Sequence, residues 1–165
     1  MANPTPETTT PQALAAVVDA CAPSSVVSCG DIASAIAERW QQQRPDTQVT
    51  SLDPAQPNAA FPLPRTHDLA LISDTLEHLD LEEGRLLLGQ LRNYGTHQIA
   101  VVVPDQANWQ FRDFIALGFR RQGAVGLAGS QQTLYTYNLD SYNHKRQWNN
   151  ARHWANPEMW GKAWW

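Results

Sequence analysis

The stretch Ser25–Arg39, SVVSCGDIASAIAER, decides how the rest of the chain is read. Val26 and Val27 begin an apolar strand, Gly30 supplies a turn, and Asp31 can cap the helix that follows by accepting its free N–H groups. Ile32, Ile36 and Trp40 recur at helical spacing and are expected to face a sheet. A buried strand, a glycine turn and a helix form the unit at which many α/β proteins hold a nucleotide-like ligand. There a glycine lets the ligand approach the backbone without meeting a Cβ atom.

On the N-terminal side, Pro11–Ala22 reads as a helix, with Leu14, Val17 and Val18 on one stripe and Pro11 in its first turn. Residues 1–10 are rich in proline and threonine and are expected to be disordered. On the C-terminal side, Gln48–Leu52 is a short strand ending at Asp53. The segment Pro54–Thr66 carries Pro54, Pro57, Pro62 and Pro64, which excludes a regular helix or an interior strand. His67–Ser73 is a strand whose continuous run Leu69–Ile72 suits burial on both faces. Asp80 and Glu83 predict a capping box for a helix that turns Leu81, Leu87, Leu88 and Leu91 inward and stops near Gly95. Gln98–Val103 is a second strand with a continuous apolar run, Ile99–Val103, closed by Pro104. Asn108 is the predicted cap of a helix bearing Phe111, Phe114, Ile115 and Leu117, which Gly118 ends. Phe119–Leu127 and Thr133–Leu139 follow as two strands, the second with Tyr135, Tyr137 and Leu139 on one face.

Alternation of strands and helices predicts an α/β fold with a mostly parallel sheet and helices on both faces. The last two strands have no helix between them, so one of them runs antiparallel. The expected strand order is second, first, third, fourth, with the closing pair beyond the fourth.

The chain has 165 residues, 42% of them hydrophobic, which suits one domain with a real core. A net charge of -4 argues against a protein built on attraction to nucleic-acid phosphates. Cys21 and Cys29 are too far apart for a Cys-x-x-Cys pair, and two thiols in such a chain suggest a reducing compartment. The start, MANPTPETTTP, has neither a basic nor an apolar signal region, and no apolar run approaches a membrane span. A cytoplasmic protein is the expectation. The five histidines are scattered, without the close ligand spacing of a zinc motif.

The pattern resembles the class I S-adenosylmethionine-dependent methyltransferases. The resemblance rests on the strand–turn–helix VVSCGDIASAIA, on Asp53 at the end of the next strand, on HDLALISDTLEHL, and on the run from Ala116 through Asp140. It covers roughly residues 11–142 and implies a three-layer, Rossmann-like α/β domain. The family's acidic residue falls on Val26 and its alternate glycines on Ser28, Gly30 and Ile32, so one glycine remains. The helix, strand and helix that normally follow the second strand are replaced by the proline-rich loop, so the edge-strand region after Asp53 is shortened. The resemblance implies S-adenosylmethionine as cofactor, held by Ser28, Gly30, Asp53, Asp74 and Thr75.

Each of these residues has a structural reading beside the functional one. Gly30 permits a tight turn with or without a ligand, with Ile32 then filling core space. Asp53 either accepts hydrogen bonds from ribose hydroxyls or is a turn aspartate before Pro54. Asp74 and Thr75 lie where an open α/β sheet forms its crevice. Glu77 or His78 is either a proton acceptor for a substrate or part of a structural signature. The implied activity is methyl transfer to a small molecule or a protein. The competing class is a non-catalytic binding or scaffold module that keeps the sheet and uses its tail for a protein partner.

That tail, residues 143–165, holds Trp148, Trp154, Trp160, Trp164 and Trp165. Lys145, Arg146, Arg152 and Lys162 against Glu158 give it +3, leaving -7 on the remainder of a chain whose total is -4. The expectation is that it packs on its own domain, with the sheet edge after Asp53 as one place to cover, or docks on a protein partner or a second copy. Stacking on single-stranded nucleic acid is the third reading.

Overall fold

The computed structural model describes residues 8–105, 107–126 and 131–138. Six strands form one sheet in the order β2-β1-β3-β4-β6-β5. They are β1 (Ser25–Cys29), β2 (Gln48–Leu52), β3 (His67–Ile72), β4 (Thr96–Pro104), β5 (Arg120–Val125) and β6 (Gln132–Asn138). The first four pair in parallel, and β6 runs antiparallel between β4 and β5. This is the expected order, with one antiparallel closing strand.

The period-two alternation of the strands divides the core. Val26, Leu69, Leu71, Ala100, Val102 and Leu134 face α1 (Thr10–Cys21) and α2 (Asp31–Gln43), where they meet Leu14, Val18, Ile36 and Trp40. Val27, Cys29, Ala70, Ile72, Ile99 and Val101 face the other way, toward α3 (Leu81–Gln90) and α4 (Phe111–Ala116). On that side the Phe114 ring lies 3.8 Å from Tyr135, stacked at 9°, with Trp109 at 4.8 Å and Phe119 at 6.0 Å. Gly84 in α3 leaves the room that the Trp109 indole occupies, since a Cβ there would stand 2.5 Å from its Cζ2.

Several local expectations need correction. Residues 8–10 are ordered: Thr9 caps α1 in a reciprocal box with Gln12, and the Thr8 carbonyl accepts the Gly126 N–H at 2.8 Å. The domain therefore starts before Pro11. Asp31 is the first residue of α2 and Gly30 is its cap position. The hydroxyl that accepts the Ala33 N–H, at 2.9 Å, belongs to Ser73. Asp80 caps α3 by position, but the box with Glu83 does not form. The α4 cap is Gln110 rather than Asn108, with Asp113 reaching back to the Gln110 N–H at 2.8 Å. Asp113 also takes the Arg85 guanidinium at 2.6 Å, tying α4 to α3. Both interactions favour the carboxylate, and the backbone bond leads in holding Asp113 below the usual carboxylate range. One π-helical turn, Leu91–Gly95, extends α3 toward β4.

The sheet ends at β2. Between Asp53 and His67 the chain makes only a 3₁₀ turn, Pro57–Ala60, and sends Phe61 and Leu63 against the α3-side core. The Asn58 side chain donates to the Glu83 carbonyl at 3.1 Å, which fastens this loop to α3. Leu139 and the tryptophan-rich segment lie outside the described residues.

Candidate functional site

Strand register assembles the candidate site. Cys29 pairs with Leu52 on one side and Ile72 on the other, so Gly30, Asp53 and Ser73 follow in one row at the carboxyl ends of β1, β2 and β3. Chain order reverses between β1 and β3, which makes this the switch point of the sheet.

Gly30 sits at φ 102°, and a Cβ on it would lie 1.6 Å from the Ser73 carbonyl oxygen. The space a side chain would fill is therefore taken by the end of β3. Ser73 closes the junction with three groups. Its N–H donates to the Cys29 carbonyl at 2.9 Å, its hydroxyl caps α2, and its carbonyl accepts from Thr75 Oγ1 at 2.7 Å. Sequence reasoning missed Ser73, because a cap supplied from forty residues away leaves no local signal.

The remaining predicted residues divide by where they face. Ser28 is fully buried on the α2 side of β1, its hydroxyl 3.3 Å from that of Ser51 and 3.4 Å from that of Ser34. Ile32 packs against the α1–α2 core. Thr75 is fully buried, and its hydroxyl also approaches Cys29 Sγ at 3.3 Å. Asp53 is exposed, with one carboxylate oxygen accepting the Ala55 N–H at 2.9 Å, the turn geometry expected before a proline-rich loop. Asp74 is half-buried and holds φ at 50°, a conformation that costs a non-glycine residue and collects at functional sites.

Glu77 follows in the 3₁₀ turn Leu76–His78. Both its carboxylate oxygens are buried without a hydrogen bond, and the exposed His78 ring stands 3.9 Å away. Burial raises its pKa above the usual value, nearby His78 opposes this, and Asp74 adds to it. With the folded pKa above the unfolded one, the ionised carboxylate penalises the fold. The penalty is absent below the unfolded value and complete above the folded value. Glu77→Gln should therefore raise the melting temperature more at pH 8 than at pH 4, as read by thermal denaturation at both. An equal effect at both would show that ionisation of Glu77 is not what strains the turn.

Among the described residues no group of three or more His, Cys, Asp or Glu side chains is placed to hold a metal ion. No helix among them is long and apolar enough to cross a membrane.

The fold of this chain recurs in solved structures. One is the methyltransferase domain of bacterial CtHen1, 12% identical over 78% of this chain and 97% of that one, at TM-score 0.53. Another is the magnesium protoporphyrin IX methyltransferase of Synechocystis PCC 6803 with bound S-adenosylmethionine, 16% identical over 77% and 76%, at 0.51. A third is the O-methyltransferase NcsB1 from neocarzinostatin biosynthesis, in complex with S-adenosylhomocysteine and 1,4-dihydroxy-2-naphthoic acid, 14% identical over 74% and 52%, at 0.50. The chain has the class I S-adenosylmethionine-dependent methyltransferase fold. Within it, the chain belongs to the family of unknown function DUF6231, whose model matches residues 8–165. No curated protein matches it in sequence.

Proposed function

We propose that the carboxyl ends of β1, β2 and β3 bind S-adenosylmethionine and that the protein methylates a small-molecule or protein acceptor. The observation that carries this is the row Gly30–Asp53–Ser73 at the switch point, with the exposed Asp53 carboxylate at its open end. An exposed carboxylate one strand from the glycine turn fits a ribose diol, since it can accept two hydrogen bonds. The Gly30 turn brings bare backbone and the first turn of α2 beside it. A bound S-adenosylmethionine would supply an electrophilic methyl group there, with the thioether of S-adenosylhomocysteine as leaving group. The chain's own residues align the acceptor, and Glu77 or His78 takes the proton the acceptor gives up.

Calorimetric titration with S-adenosylmethionine and S-adenosylhomocysteine tests this. Binding should be seen with the wild type, and Asp53→Ala should weaken it by about 1–3 kcal/mol. Unchanged affinity in the variant removes Asp53 from the site.

A non-catalytic binding or scaffold role is the second reading, and one observation favours it. The volume beside Gly30 is filled by the Ser73 carbonyl, so the fold alone accounts for that glycine. Absence of heat with either ligand would turn the assignment to this reading.

A further inference from the structure

We propose that residues 139–165 fold back onto their own domain and occupy the groove that runs along α1 between that helix and β5–β6. This groove has a volume of about 920 Å³. It lies on the α1–α2 face of the sheet and extends from Thr8 and Val125 at one end to Cys21, Gln98 and Asn138 at the other. The Gly30–Asp53–Ser73 row is no part of its lining.

Helix α1 is apolar over more than its core stripe. Leu14 and Val18 are buried against the sheet, whereas Ala16, Val17 and Ala20 line the groove and stay exposed or half-buried. These three recur at helical spacing, so they form a second apolar stripe that faces the groove. Among the described residues the lining contains one charged side chain, Arg120, and no carboxylate. Opposite the apolar α1 wall the lining carries Gln98, Gln122, Thr136 and Asn138, so the groove suits amphipathic indole rings, and Arg120 offers a cation to stack on one of them.

The occupant follows from where the chain goes next. Described structure ends at Asn138, and Asn138 is itself in the groove lining beside the Cys21 end of α1. The residues beyond it could span roughly 90 Å fully extended, whereas α1 is about 18 Å long. They carry Trp148, Trp154, Trp160, Trp164 and Trp165. Each ring covers on the order of 200 Å². Left in water together, these rings would make an apolar patch of a kind monomeric proteins rarely expose. The family match runs through to Trp165, so this segment belongs to the same family unit as the sheet. The β2 edge is the more distant seat, four strand positions from β6, or about 19 Å.

The native cysteines test the proposal in the full chain. Cys21 lines the groove and is half-buried, and Cys29 is buried inside β1. Maleimide alkylation of Cys21 should be slow in the wild type. It should be at least about tenfold faster when Trp148, Trp154 and Trp160 are replaced by serine, with Cys29 still protected and the rates independent of protein concentration. An unchanged Cys21 rate overturns the proposal. Protection of Cys21 that grows with concentration also overturns it, and assigns the groove to a second copy. If the serine variant exposes Cys29 as well, Ala20→Glu on the groove wall decides. Its tail tryptophans should become more accessible to acrylamide quenching than those of the wild type, and equal quenching overturns the proposal.

Discussion

Replacing Gly30 with alanine is expected to cost the fold at least about 3 kcal/mol and to remove ligand binding with it. Two costs add at this position. The backbone holds φ at 102°, which an L side chain rarely adopts, and the new Cβ would stand 1.6 Å from the Ser73 carbonyl oxygen and 2.6 Å from its carbon. The obstacle is main chain, so no rotamer change relieves it. Relief requires the ends of β1 and β3 to part, which would break the bond from the Ser73 N–H to the Cys29 carbonyl and withdraw the Ser73 cap from α2. Ser73→Gly should therefore fail to rescue Gly30→Ala, because it removes the hydroxyl and leaves the carbonyl. Urea denaturation of the two single variants and the double variant measures this. A rescue would place the strain in the serine side chain instead.

Truncating Phe114 to alanine should cost about 3–5 kcal/mol, the range for deleting a buried aromatic side chain. Phe114 is completely buried and joins three other rings, one from β6 and two from the segments flanking α4. Its removal leaves a cavity that the stacked Tyr135, fixed in β6, cannot fill by sliding. Phe114→Leu should lose less than half as much. The effect differs in kind from that at Gly30. No ring of the Phe114 cluster belongs to the Gly30–Asp53–Ser73 row, so the folded fraction of Phe114→Ala should bind ligand with wild-type affinity. Denaturation and calorimetric titration on the same preparation separate the two cases. A loss of affinity would mean that the α4-side core shapes the cleft.

The sheet was legible because its signals are local and repeated. Val26–Val27, Leu69–Ile72 and Ile99–Val103 are apolar runs separated by helical patterns. Right-handed crossovers then leave little freedom in strand order. The candidate site was legible only in outline. Gly30, Asp53 and Asp74 stand at the strand ends because each directly follows a strand or its last turn. What each side chain does there depends on register and on partners distant in sequence. Ser28 faces α2 because it is in phase with Val26, and it meets Ser51 through strand pairing. Thr75 turns inward because Asp74 takes the left-handed conformation before it. The cap of α2 comes from Ser73, and that of α4 from a Gln110–Asp113 pair in place of Asn108. Such choices are made by tertiary geometry, which composition and periodicity do not carry.

The most direct test of the proposed function is to map S-adenosylhomocysteine onto the backbone amides of the full chain by nuclear magnetic resonance titration. Binding at the switch point predicts saturable shifts confined to Gly30–Asp31, Asp53 and Ser73–Thr75, which in Asp53→Ala should need a higher ligand concentration to saturate. No saturable shift in the wild type, or shifts clustered along α1 and β5–β6 instead, would contradict a cofactor site at the carboxyl ends of β1, β2 and β3.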